Sequence, residues 1–135
     1  MPIEGARNPV DIAVSGLRAQ SARMSVITAN IANSNTSRTE NGQPYRRKEV
    51  VLATNPDDLS GVNVVQVAED LLSEFKSVYQ PGHPDADSAG YVRMPNVDLP
   101  SEMIQLISAS RAYQANAAVL KRYQELADST LELLR

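Results

Sequence analysis

No Gly or Pro follows Pro100, and this unbroken C-terminal stretch limits the possible folds more than any other part of the chain. Apolar residues recur through it at alternating spacings of three and four, which is typical of one face of an amphipathic helix. With Asp98 or Ser101 as the N-cap, we expect a single helix over residues 99–135, about 50 Å long at 1.5 Å per residue. Eight of the ten positions of this first seam are apolar or Tyr: Met103, Leu106, Ser110, Tyr113, Ala117, Leu120, Gln124, Ala127, Leu131 and Leu134.

A second seam runs along the same stretch, displaced from the first by one residue and therefore by about 100° around the helix. Six of its eight positions are apolar or Tyr: Ala109, Ala112, Asn116, Val119, Tyr123, Leu126, Thr130 and Leu133. One partner helix cannot bury both seams. We interpret the surplus apolar face as an assembly surface, because soluble monomers rarely expose so large a patch. The alternatives are a curled helix end and a domain that folds over it.

The N-terminal part predicts a second amphipathic helix over residues 10–33, preceded by a tail over residues 1–9. Asn8 suits the N-cap and Pro9 the first turn, while the Asn-rich run that ends at Asn35 suits a helix end in the left-handed conformation. Gly16 costs the helix about 1 kcal/mol relative to Ala, so we expect a close approach of another helix there. The seam contains Val10, Ala13, Leu17, Gln20, Met24, Ile27 and Ile31.

The segment between the helices, residues 34–98, is rich in Pro and Gly and predicts turns and short strands. Candidate strands cover residues 45–52, 62–67, 75–79 and 91–94, and they are expected to form a small, partly open β region. The predicted fold class is therefore mainly α with a small β part. We expect residues 10–33 and 99–135 to form one helical domain, an antiparallel pair similar to a coiled coil.

Composition disfavours several functional classes. The formal net charge is −3 with the charges mixed along the chain, which argues against a nucleic-acid binder, and Arg46, Arg47 and Lys48 are expected to lie on a solvated strand face. The chain contains no Cys, so a disulfide framework and a thiolate metal site are both impossible. It has no recognisable signal peptide and no run of about 18 apolar residues, so we expect neither Sec-dependent export nor membrane insertion.

His83 is the only histidine and has Asp85 and Asp87 close by in sequence. We expect a hydrogen-bonded loop there, and the alternative is a metal site. A calcium loop is rejected, because Ala89 and Asn96 stand where an EF-hand requires ligands. No nucleophile elbow or phosphate-binding glycine loop is present, so we expect neither catalysis nor a cofactor.

Four amides lie near the apolar seams: Asn30, Asn33, Gln114 and Asn116. Such side chains can hydrogen-bond across helices and fix the register between subunits, at some cost in stability. The alternative is a helix-end turn for Asn30 and Asn33, and solvation for Gln114 and Asn116. We favour a register role for Asn116 and turn formation for Asn33.

The run from Thr28 to Thr36, TANIANSNT, resembles a signature of the axial proteins of the bacterial flagellum. Further stretches that begin at Gly42, Pro81, Gly90, Met94 and Ser108 are similar to the proximal-rod members of the flagellar basal-body rod family: GQPYRRK, PGHPDAD, GYV, MPNVD and SASRAYQAN. The signature residues carried over are Asn30, Ile31, Ala32, Asn33 and Thr36, together with Arg111, Tyr113, Gln114 and Asn116.

The resemblance implies a structural subunit of the rod, located in the flagellar basal body and exported in a poorly folded state. This agrees with the packing argument, because terminal helices that bury their seams only in the polymer should be mobile in the monomer and order on assembly. The resemblance also implies export through the flagellar type III apparatus, and contacts with copies of itself, other rod proteins and the adaptor that joins the rod to the membrane ring. The rival interpretation is a helical-hairpin adaptor that never polymerises. The residues expected to pack in the helical seams are Leu17, Met24, Ile27, Ile31, Met103, Leu106, Leu120, Leu126, Leu131 and Leu134.

Overall fold

A computed structural model describes residues 8–54 and 61–134. The predicted tail, residues 1–9, therefore lies almost wholly outside the described residues, as does Arg135. The elements are helix α1 (Pro9–Ala32), strands β1 (Lys48–Thr54), β2 (Val62–Glu69), β3 (Lys76–Tyr79) and β4 (Tyr91–Met94), and helix α2 (Leu99–Leu133). The prediction of a mainly α chain with a small β part is confirmed.

Both helices begin where their local sequence predicts. Asn8 caps α1 by accepting a hydrogen bond from the Val10 N–H at 3.0 Å, and Pro9 occupies the first turn. Asp98 caps α2 by accepting from the Ser101 N–H at 3.2 Å. Asn33 caps the C-terminal end of α1, and its side chain and backbone N–H both donate to Ala29 O. The predicted turn at Asn33 is confirmed, but its φ of −102° shows that the left-handed conformation is not used.

The middle segment forms two separate two-stranded antiparallel sheets, β1 with β2 and β3 with β4. β1 begins at Lys48 and not at Tyr45 as predicted. The reason is that the N–H groups of Tyr45 and Arg47 donate to Thr36 O and to Asn96 Oδ1, so neither is free for a strand partner. A bulge between Val51 and Leu52 shifts the register of the first sheet.

α1 is the central element, because it contacts α2 along one side and the first sheet along another. Ser15 Oγ accepts a hydrogen bond from the Val62 N–H at 3.1 Å, which ties α1 to β2. The buried apolar side chains are few and mostly small: Ala13, Ala19, Ile27, Val92, Val97 and Ala109. So small a core leaves much of the apolar surface of α2 uncovered.

Candidate assembly interface

α1 and α2 pack antiparallel, as two pairs of residues show. Gly16 of α1 lies against Asn116 of α2, and Asn30, near the end of α1, bonds to Glu102 in the first turn of α2. A Cβ placed on Gly16 would lie 2.7 Å from Asn116 Nδ2. The predicted close approach at Gly16 is therefore confirmed, and the approaching group is the side chain of Asn116.

The C-terminal part of α2 continues past the start of α1. Pro9, at the start of α1, lines a shallow apolar groove with Val119, Tyr123 and Leu126 of α2. The start of α1 is therefore level with a point about ten residues before the end of α2. Every residue from 121 to 134 is exposed, and we call this stretch the α2 overhang. It is about 20 Å long at 1.5 Å per residue.

The predicted seam residues divide between the helix contact and the open surface. Ile27 is buried, and five others are half-buried: Leu17, Met24, Ile31, Leu106 and Leu120. Four are exposed: Met103, Leu126, Leu131 and Leu134. The face of α2 that packs on α1 follows Glu102, Ala109 and Asn116, so it lies closer to the second seam than to the first over these turns.

A buried polar cluster joins the two helices to the segment before β1. Its members are Asn30, Tyr45, Arg47 and Glu102, and the side chains of Asn30 and Glu102 are wholly buried. Glu102 accepts hydrogen bonds from Arg47 Nε and from Asn30 Nδ2, while Tyr45 donates to Asn30 Oδ1 at 3.0 Å. The charge of Glu102 is thus compensated by Arg47, as a buried carboxylate requires.

The cluster changes the titration of two of its members. Burial, and secondarily the negative charge of Glu102, raises the pKa of Tyr45 above its ordinary value. Burial acts to lower the pKa of Arg47, but hydrogen bonds and ion pairs with Glu49 and Glu102 outweigh it, so the pKa is raised. Arg47 therefore stays charged opposite Glu102.

Sequence patterns did not identify this cluster. Glu102 stands in the first turn of a helix, where an acidic residue commonly faces solvent and favours the helix dipole. The prediction that Arg46, Arg47 and Lys48 form a solvated strand face is wrong for the first two. Arg47 bonds to Glu102, and Arg46 donates to Asp70 O while its guanidinium lies 4.3 Å from the centroid of the Phe75 ring.

The remaining signature residues are spread over two regions. Thr36 donates to Asn33 Oδ1 and helps to close the turn after α1, while Ile31 and Ala32 end the helix beside it. On α2, Arg111, Tyr113 and Gln114 are exposed, and only Asn116 faces α1. The structure thus brings Asn116 to Gly16 but keeps the other three on the outer surface.

The loop that contains His83 is held by local hydrogen bonds. His83 Nδ1 accepts from the Asp85 N–H at 3.0 Å, and Asp85 accepts from Ser37 Oγ at 2.7 Å. Asp87 accepts from the N–H groups of Ala89 and Tyr91. Within residues 8–54 and 61–134, no group of three or more His, Asp or Glu side chains is arranged to hold a metal ion. Neither described helix has the length and apolarity needed to cross a membrane.

Comparisons with known proteins match both helices. Residues 11–38 match the family described as "Flagella basal body rod protein", and residues 88–133 match "Flagellar basal body rod FlgEFG protein C-terminal". The first match covers α1 and the turn that follows it, and the second covers β4 and α2. Asn30 and Glu102 lie inside these matches, whereas Tyr45 and Arg47 lie between them.

Curated relatives match nearly the whole chain. The flagellar basal-body rod protein FlgC of Yersinia enterocolitica is 48% identical over 129 residues, which cover 93% of this chain and 96% of the relative. FlgC of Borreliella burgdorferi is 40% identical, with 97% and 99% covered, and FlgC of Bacillus subtilis is 36% identical, with 95% and 97% covered. The predicted resemblance is confirmed. The chain therefore belongs to the flagellar basal-body rod protein family, and it is a structural component of the rod and not an enzyme.

Proposed function

We propose that the chain polymerises through its two terminal helices, with the α2 overhang packing against a neighbouring rod subunit. The observation that carries the proposal is the exposure of four leucines near the end of α2. Leu126 is 68% exposed, Leu131 65%, Leu133 88% and Leu134 79%. Because each is already partly covered, burying one of them against a neighbour contributes about 1–2.5 kcal/mol before the costs of association.

The apolar groove beside the overhang extends the same surface. It is lined by Pro9, Val119, Tyr123 and Leu126, so it joins the start of α1 to the second seam of α2. A contact between this surface and a different surface of the next copy is heterologous. Repeated with a rotation that does not close a ring, such a contact generates an open helical tube.

The proposal assigns the helices to the inner wall of this tube, where α1 and α2 pack as a coiled-coil-like pair, and the two small sheets to its outside, where they brace neighbouring subunits. Torque is then carried by many buried side chains at once. Single dispersion contacts contribute only about 0.1–0.2 kcal/mol each, but they add up over an interface of this kind.

The rod family implies that the partners are other flagellar basal-body rod components. We further propose contacts with the adaptor between rod and membrane ring, and passage through the type III export apparatus before assembly across the periplasm. The α2 overhang, whose residues are all exposed in the subunit, is the part expected to be mobile in the monomer and to order when a neighbour packs on it.

Leu126→Asp tests the interface, because it places a charge at a side chain that is 68% exposed in the single subunit. We expect loss of swimming and of rods in electron micrographs of purified basal bodies, with normal subunit levels. Leu131→Asp should behave in the same way. Ser129→Asp is the matched control, since it adds the same charge at an exposed polar position of the overhang, and it should swim normally. Leu120→Asp is less informative, because Leu120 is half-buried within the subunit.

Normal swimming of both leucine variants would contradict the proposal. A non-polymerising adaptor is the alternative that the same micrographs address. If the protein were an adaptor, it would not be present along the length of the rod. The proposed subunit, in contrast, forms part of the rod wall.

A further inference from the structure

The buried polar cluster joins the end of α1 to the start of α2. Asn30 uses its whole amide group: Nδ2 donates to Lys48 O and Glu102 Oε2, and Oδ1 accepts from Tyr45 Oη and the Lys48 N–H, all at 2.9–3.0 Å. The second oxygen of Glu102 accepts from Arg47. The two contacts of Glu102, with Asn30 and with Arg47, are the ones that involve α2 and that therefore depend on the alignment of the helices.

The apolar contacts alone do not select this alignment. Glu102, Ala109, Asn116 and Tyr123 follow one another at seven-residue spacing, so they lie along one line of α2. A slip of seven residues, about 10 Å, keeps the same face of α2 towards α1 but changes which residues meet across the contact. In the cluster, however, Ala109 would take the place of Glu102 and leave Asn30 and Arg47 without the carboxylate.

A second matched pair has the same spacing. Gly16 and Asn30 are fourteen residues apart on α1, and Glu102 and Asn116 are fourteen apart on α2. In the observed alignment both pairs meet, Asn30 with Glu102 and Gly16 with Asn116. A slip of one heptad sets Tyr123 or Ala109 against Gly16, so the two matches are lost together.

We propose that Asn30, Arg47 and Glu102 are positioning residues that set the register of α1 against α2, and thereby the length of the α2 overhang. Buried polar groups specify register in this way in coiled coils. The claim about the overhang rests on the proposed assembly through the terminal helices. The claim about register applies to the single subunit and does not depend on assembly.

Engineered disulfides report the register directly, because the chain has no native cysteine. A Cβ on residue 16 would lie 3.0 Å from Asn116 Cγ, and a cysteine at position 116 would place its Sγ near that atom. In a disulfide, the Cβ of one cysteine lies about 3 Å from the Sγ of the other. Gly16→Cys with Asn116→Cys reports the observed register. Two further variants report a slip: both carry Gly16→Cys and Asn116→Ala, and the second cysteine is Ala109→Cys in one and Tyr123→Cys in the other. Asn116 is replaced in all three variants, so they differ only in the position of the second cysteine and its neighbour.

In the otherwise unchanged subunit we expect the bridge between positions 16 and 116 to form at least tenfold faster than either slipped bridge. Glu102→Gln keeps the size of the side chain but removes its charge, and it should reduce this preference to about threefold or less. Glu125→Gln is the matched control, because Glu125 makes an exposed ion pair with Arg122 on the same helix, and it should leave the preference unchanged.

Equal preferences in Glu102→Gln and Glu125→Gln would overturn the register role. Loss of helical circular dichroism in Glu102→Gln would also overturn it, because the residue would then serve general stability. Cells that swim with a slipped bridge in place would refute the link between register and assembly. The test of the interface itself remains Leu126→Asp, so the two failures are distinguishable.

Discussion

Replacing Gly16 by alanine places a methyl group between α1 and α2, directly against the amide of Asn116. The added Cβ would lie 2.7 Å from Nδ2, 3.0 Å from Cγ and 3.1 Å from Oδ1 of that side chain. Ordinary contact requires about 3.5 Å, so the whole amide must move, and its half-buried position between the helices restricts that movement.

Two opposing effects determine the free energy of unfolding of this variant. Alanine is favoured over glycine in a helix interior by about 1 kcal/mol. Overpacking a close contact typically costs about 1–3 kcal/mol. We therefore expect Gly16→Ala to destabilise the subunit by about 1 kcal/mol. With Asn116→Ala also present the obstruction is gone, and the same substitution should instead stabilise the subunit by about 0.5–1 kcal/mol.

Urea denaturation of the isolated subunit, followed by circular dichroism at 222 nm, measures both changes. The prediction is a reversal of sign between the two backgrounds, with a coupling of about 1.5–2 kcal/mol, well above the ~0.5 kcal/mol scatter of independent sites. Equal effects of Gly16→Ala in both backgrounds would refute the contact. A helical signal that falls without a cooperative transition would refute the packing of α1 on α2 in the subunit.

Further predictions follow from single side chains. Gln20 Oε1 is buried and has no hydrogen-bond partner among the described residues, so Gln20→Leu should raise the free energy of unfolding by about 1 kcal/mol, and a lower urea midpoint would contradict this. The pKa of Tyr45 is higher in the folded chain than its unfolded value of about 10. The neutral phenol therefore contributes to the free energy of unfolding at pH values below about 10, and this contribution is lost as the pH rises through the folded pKa. Urea titrations between about pH 9 and 11 should thus show a shallower loss of stability for Tyr45→Phe than for the unchanged chain, whereas parallel curves would argue against a buried phenol. His83→Ala removes one hydrogen bond, from the Asp85 N–H, and should leave swarm diameters nearly normal, so loss of motility would point to a role beyond the loop.

Local sequence accounts for the helices and much of the family signature. Asn8, Pro9 and Asp98 mark helix starts through the hydrogen bonds and torsion angles that their own side chains allow. The spacing of three and four identifies the apolar faces, and the surplus second seam of α2 predicts a surface that one partner helix cannot cover. These features depend on residues within one or two helical turns, so the sequence is sufficient for them.

The polar cluster required the tertiary structure. Asn30, Arg47 and Glu102 are 17 and 55 residues apart along the chain, and nothing near Glu102 distinguishes a buried carboxylate from an exposed one at a helix start. The same holds for β1, which begins three residues later than predicted because Thr36 and Asn96 accept the preceding N–H groups. Periodicity decides which face of a helix is apolar, but only the packed chain decides which residues meet across it, because register depends on partners from distant segments.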